Sequence, residues 1–125
     1  MDTLKLGYAV GVDLEAISRF RKLSASRNKN FLNRIYTARE LKYCFAHRNF
    51  AAYLAGRFVA KEAVFKALSA LGVKSIHLKQ IEIHNDKNGS PLVSIVGKKH
   101  QPVQISLSIS HCEDKAMAMA VAIRV

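Results

Sequence analysis

Glu62 and Lys66 stand four residues apart in Phe58-Val59-Ala60-Lys61-Glu62-Ala63-Val64-Phe65-Lys66, the most apolar helical stretch of the chain. Charged side chains seldom sit in such company unless they are paired or bind an ion. At about 100° per residue the two share one helix side with Ala55, Val59 and Ser69. Leu54, Phe58, Phe65 and Leu68 form a neighbouring apolar stripe, and both phenylalanines read as core. Arg57 and Lys61 make a second i,i+4 pair beyond it. Glu62 and Lys66 are either a surface ion pair worth about 0.3–0.5 kcal/mol, or half of a site for a metal and a phosphate. The second half must bring another acid and further phosphate donors.

Two other places offer them. Asp13 ends the run Gly11-Val12-Asp13, where it is an N-cap for a following helix, a metal ligand, or both. Glu15 is then a second ligand or a first-turn acid favoured by the helix dipole. Ser108-Ile109-Ser110-His111 follows a strand, with Ser108 and Ser110 on one side and Ile109 opposed. These hydroxyls and the imidazole either donate to a phosphate or form a polar turn. A Ser–His nucleophile pair is not indicated, because the residues are sequence neighbours and no matching acid appears.

The elements that must position these groups alternate along the chain. Leu4 to Val12 alternates as a strand, and Leu14, Ile17, Phe20 and Leu23 follow at helical spacing. Ser24 to Asn30 reads as a loop and Phe31 to Tyr36 as a helical turn. Thr37-Ala38-Arg39-Glu40 fits a capping box that starts a helix to about His47. A long helix runs from about Asn49 to Leu71, with Gly72 as its stop. Gly56 inside it costs about 1 kcal/mol against Ala, which close approach of another backbone would explain. Leu78 to His84 and Leu92 to Val96 read as a hairpin around Asp86-Lys87-Asn88-Gly89-Ser90-Pro91. Val103 to Ile109 is a further strand. Lys115 to Val125 reads as the last, although its Ala and Met residues would also suit a helix. The fold class is α+β: an antiparallel sheet packed against helices, one of them long and central.

With 125 residues the chain reads as one domain, 1–125. Its 20 Lys and Arg against 9 Asp and Glu give a net charge of +11, which calls for an anionic partner. Cys44 and Cys112 lack metal-ligand spacing and read as reduced thiols. Met1 to Gly7 has no basic segment leading into a long apolar run, and no stretch approaches a membrane span. The expectation is a cytoplasmic protein with no membrane partner.

Gly11-Val12-Asp13, Phe58 to Lys66 and Ser108 to His111, in this order and spacing, resemble the holo-acyl-carrier-protein synthases, small 4′-phosphopantetheinyl transferases. Arg34-Ile35-Tyr36-Thr37 with Glu40-Leu41, Leu54-Ala55-Gly56-Arg57-Phe58, and Asp86 with Gly89 and Pro91 are similar to further family segments. The resemblance covers nearly the whole chain. It implies transfer of 4′-phosphopantetheine from coenzyme A to a serine of acyl carrier protein, in support of fatty acid biosynthesis. It implies Mg²⁺ held by Asp13 and Glu62, with Lys66 on the pyrophosphate and Glu62 and Lys66 catalytic. The serine proton goes to Glu62 or to a metal-bound water. Arg57, Lys66, Gly89, Pro91, Ser108, Ser110 and His111 match the coenzyme A site, and Arg19 and Arg27 the carrier-docking arginines. A homotrimer with sites at subunit interfaces is implied as well. Lys42 stands where the family often has an acid, and Asn30 where a basic residue is common. The alternative class is a small basic nucleic-acid-binding module. The scattered basic residues and the absence of helix-turn-helix, zinc or aromatic-strand signatures speak against it, so no nucleic acid partner is expected.

Overall fold

The computed structural model describes residues 7–97, 99–100 and 102–125. The expected strand residues Leu4 to Leu6, and all but Gly7 of the segment Met1 to Gly7 expected not to be a secretory signal, lie outside the described residues. The elements are β1 (Tyr8–Ala16), α1 (Ser18–Arg21), α2 (Lys29–Ile35), α3 (Ala38–Phe45), α4 (Phe50–Leu71), a 3-10 turn (Leu78–Gln80), β2 (Ile81–Asn85), β3 (Pro91–Ile95), β4 (Val103–Cys112) and β5 (Lys115–Arg124). Strands β1, β5 and β4 form one antiparallel sheet in that order, and β2 and β3 form a separate hairpin. The α+β class holds, with the single expected sheet divided into two.

The C-terminal segment is a strand because its small and large residues alternate. Ala116, Ala118, Ala120 and Ala122 point inward and are buried, while Met117, Met119 and Ile123 point outward. Small inward residues let α4 lie close against the sheet, where Ala63 and Ala67 are wholly buried. Gly11 on β1 takes this furthest. A Cβ there would fall 1.9 Å from the Ala63 carbonyl oxygen and 2.7 Å from the Ala67 nitrogen. The close backbone approach expected at Gly56 is therefore found at Gly11. At Gly56 a Cβ would meet only the Ile109 side chain, at 3.8 Å.

The sheet's other face carries Tyr8, Val10, Val12, Leu14, Met117, Met119 and Ile123, all 40% exposed or more. Phe58 is partly buried and packs against Phe20, with ring centroids 5.5 Å apart. Phe65 is 39% exposed and is not the core residue its stripe suggested.

Helix α3 begins with the expected capping box, the Thr37 hydroxyl accepting from the Glu40 N–H and the Glu40 carboxylate from the Thr37 N–H. Helix α4 ends at Gly72, whose φ of 94° lies in the left-handed region that glycine adopts at little cost. No helix among the described residues is long and apolar enough to cross a membrane.

Candidate active site

Asp13 is not an N-cap. Strand β1 runs on to Ala16, pairing Asp13 with Ala118 and Glu15 with Ala116, and the helix that follows is the single turn Ser18–Arg21. The ladder to β5 continues past the point where a local cap would have ended it, so Leu14 belongs to the strand. Because direct partners share a sheet face, Gly11, Asp13 and Glu15 all point toward the α4 side.

There Asp13 meets α4. Lys66 donates to Asp13 Oδ1 at 3.1 Å and to the Val12 carbonyl at 3.0 Å. Lys66 therefore reaches across to β1, and no Glu62–Lys66 ion pair is formed. The other Asp13 oxygen, Oδ2, is buried and has no hydrogen-bond partner among the described residues. Glu62 is half-buried beside this pair. Burial pushes its carboxyl pKa up, the charges of Asp13 and Glu15 add to the rise, and Lys66 opposes it. Two carboxylates within each other's field, one with an unpartnered oxygen, suit a hard cation. Mg²⁺ commonly takes one or two carboxylates and keeps waters for its remaining positions. Among the described residues no three of His, Cys, Asp and Glu gather in a cluster that could hold a metal. Glu15 is engaged elsewhere, in an ion pair with Arg19 on α1.

A cavity of about 200 Å³ lies further along α4. Arg57, Gly89, Pro91 and His111 line it, with Tyr43 and Tyr53. Four residues expected in one binding site, drawn from α4, the β2–β3 turn, the start of β3 and β4, thus meet around one space. Arg57 is buried, its guanidinium lies 4.5 Å from the centre of the Tyr43 ring, and its Nε has no hydrogen-bond partner among the described residues. Cation–π contact fixes the head group where a ligand anion can reach it.

Ser108 and Ser110 do not join Asp13 within the chain. They pair with Met119 and Met117, so they point to the exposed apolar face, whereas His111, opposite Ala116, points with Asp13 and Glu15. Ser110 and His111 do both line a small cleft of about 90 Å³ at the strand end. Arg19 and Arg27 are exposed. Arg27 lines an open basic hollow with Lys29 and Arg34.

Sequence reasoning missed the roles of two contributors. Tyr43, the platform under Arg57, carried no motif. Gly11 sets the strand–helix distance, and a lone glycine inside an alternating strand is the available signal.

The family model of the 4′-phosphopantetheinyl transferase superfamily matches residues 9–122. A holo-[acyl-carrier-protein] synthase of Thermodesulfovibrio yellowstonii is 42% identical over 112 residues, covering 90% of this chain and 95% of that protein. One of Clostridium acetobutylicum is 42% identical over 118 residues, covering 90% and 94%. The ACPS–CoA complex of Chronobacterium ammoniagenes superposes with a TM-score of 0.77 at 28% identity, covering 94% of this chain and 98% of that one. The holo-ACP synthase of Plasmodium yoelii gives 0.74 at 31% identity, covering 96% and 99%. The chain belongs to the 4′-phosphopantetheinyl transferase superfamily and, within it, to the holo-[acyl-carrier-protein] synthases.

Proposed function

We propose that the protein transfers 4′-phosphopantetheine from coenzyme A to a serine of apo-acyl carrier protein, releasing adenosine 3′,5′-bisphosphate, with Mg²⁺ as its metal and fatty acid biosynthesis as its setting. The observation that carries the reading is the meeting of Asp13 with Lys66 beside Glu62, with one Asp13 oxygen buried and unpartnered. The kinship with holo-[acyl-carrier-protein] synthases supports it.

Phosphoryl transfer needs mainly positioning and charge neutralisation. The carrier serine oxygen attacks the phosphorus that bears pantetheine, and the bond to the bridging oxygen of the pyrophosphate breaks. Mg²⁺, when bound by Asp13 and Glu62, supplies charge neutralisation at the pyrophosphate. Lys66 adds a positive charge one helical turn from Glu62. Glu62, half-buried beside Asp13 and Lys66, is the chain's own candidate to accept the serine proton. Arg57, Gly89, Pro91 and His111 hold the nucleotide end.

The acyl carrier protein, an acidic partner, docks on Arg19 and Arg27. The protein acts as a homotrimer in the cytoplasm. Two observations support the assembly: the apolar outer face of the sheet is exposed among the described residues, and Ser108 and Ser110 point into that face. They would then serve the coenzyme A site across a subunit boundary.

Mixing the protein with apo-carrier, coenzyme A and Mg²⁺ and weighing the carrier tests the reaction. The expected result is a gain of one phosphopantetheine unit, lost in Asp13→Asn because a neutral amide is a poorer Mg²⁺ ligand. An unchanged carrier mass would refute the reaction, and near-normal turnover in Asp13→Asn would refute the ligand assignment.

A further inference from the structure

Lys61 is the sequence neighbour of Glu62 but lies about 100° further round α4, and it is wholly buried. Its ammonium has three N–H groups, and three acceptors meet them. Glu40 Oε1 lies at 2.7 Å, the Leu78 carbonyl at 3.0 Å and the Ile81 carbonyl at 2.5 Å. The buried Glu40 carboxylate is satisfied in turn, accepting the Thr37 N–H at Oε1 and the Ile83 N–H at Oε2, both at 2.8 Å. One buried ion pair thus grips α4, the start of α3, the 3-10 turn and β2.

Stability alone is a poor account of this arrangement. Desolvating two charges offsets most of their attraction, and apolar residues of similar size commonly do as well. What apolar residues cannot do is hold chosen backbone groups in fixed directions. Here the groups held are the Leu78 and Ile81 carbonyls and the Ile83 N–H, at the root of the β2–β3 hairpin. Gly89 in the turn of that hairpin and Pro91 at the start of β3 line the 200 Å³ cavity together with Arg57 and His111. Arg57 stands one helical turn before Lys61. The anchor therefore fixes one wall of the cavity against the other.

We propose that Glu40 and Lys61 are positioning residues: their buried pair locks the hairpin to α4 and so sets the affinity for the nucleotide end of coenzyme A. This rests on the transferase reading above. Neither residue is among those that line the 200 Å³ cavity, so loss of the pair weakens donor binding through the wall it holds and leaves the chemical step alone.

The test is the double variant Glu40→Gln/Lys61→Met, which removes both charges at similar volume. The expected variant folds, its KM for coenzyme A rises by about tenfold, and its kcat stays within about twofold. The Ile83 amide should exchange faster with solvent while amides of β5 keep their protection. A donor with a methyl group in place of the nucleoside should be handled alike by variant and wild type. Affinity for adenosine 3′,5′-bisphosphate, read by calorimetry, should fall by about the same factor as KM rises. That measurement needs no turnover, so it separates failure of this proposal from failure of the transfer reading. An unfolded double variant would show that the pair is a stability element only and would overturn the proposal. A folded variant with wild-type affinity for the bisphosphate, or one that loses kcat at constant KM, would overturn it too.

Discussion

Gly11→Ala adds one methyl group, and its consequences reach from packing to chemistry. The new Cβ would lie 1.9 Å from the Ala63 carbonyl oxygen, 2.7 Å from the Ala67 nitrogen and 3.0 Å from the Ala63 carbonyl carbon. Real Cβ contacts essentially never fall below 3.0 Å, so strand and helix must separate by about 1 Å. All three obstacles are backbone atoms of α4, which cannot swing aside as a side chain would. Overpacking typically costs 1–3 kcal/mol, and a clash with main chain on a central helix belongs at the top of that range, about 3 kcal/mol. For a chain of this size 1 kcal/mol moves Tm by roughly 4 °C, so the expected loss is about 12 °C.

The same displacement reaches the site. Asp13 follows Gly11 on the same face of β1, and Glu62 and Lys66 flank the obstructing residues on α4. A misplacement of 1 Å can cost about a hundredfold in rate. Turnover measured well below the lowered Tm should therefore fall by about two orders of magnitude although no charged group has changed. Gly56→Ala is the control. Its Cβ meets only the Ile109 Cγ2 atom at 3.8 Å, so the helix gains propensity without a clash, and Tm should rise by a few degrees, equivalent to about 1 kcal/mol. If Gly11→Ala melts within about 2 °C of wild type and turns over normally, or if the two alanine variants lose stability alike, the close-approach reasoning fails.

Three other expectations concern charge and assembly. In metal-free buffer Glu62→Gln should be more stable than wild type near neutral pH. The folded-state pKa of Glu62 is raised, so wild type loses stability relative to the variant as pH climbs from the unfolded value through the folded one, and below the unfolded value of about 4.5 the difference should vanish; a Tm difference that does not change with pH would contradict the burial and crowding invoked for this carboxylate. Arg19→Glu should raise the KM for carrier and flatten its dependence on ionic strength while leaving the KM for coenzyme A unchanged, because exposed charge acts mainly on encounter; equal salt slopes in variant and wild type would remove Arg19 from docking. Met119→Glu puts a charge at the centre of the apolar outer face, and sedimentation should show monomers that have lost transfer activity with Asp13, Glu62 and Lys66 untouched; a fully active monomer would refute the shared site.

Local signals were legible where one residue's chemistry dictated the backbone. Thr37 and Glu40 formed the expected box, Gly72 closed the long helix, and Gly89 turned the hairpin with a φ of 85°. The boundary at Asp13 was not legible, because Leu14, Ile17 and Phe20 carry a helical period across a segment whose strand pairing is decided by β5, about a hundred residues away in sequence. Nor was the partner of Lys66: helical spacing offered Glu62, and only the packing of β1 on α4 offered Asp13. The box at Thr37 showed that Glu40 would cap a helix but gave no hint that the same carboxylate would also be buried against Lys61.

The sheet carries the deeper lesson about alternation. A half-buried strand ordinarily turns its large apolar residues to the core. In β1 and β5 the order is reversed: glycine and alanines face the helix, and valines, methionines and leucine face outward. Two demands on one sheet produce this. The inner face must be small so that α4 can come close enough for Lys66 to touch Asp13, and a face of small residues leaves the large apolar ones nowhere to go but out. The close contact that joins the two halves of the candidate site and the exposed apolar outer face are therefore consequences of the same alternation, and a substitution that enlarges the inner face should weaken the site before it weakens the proposed assembly.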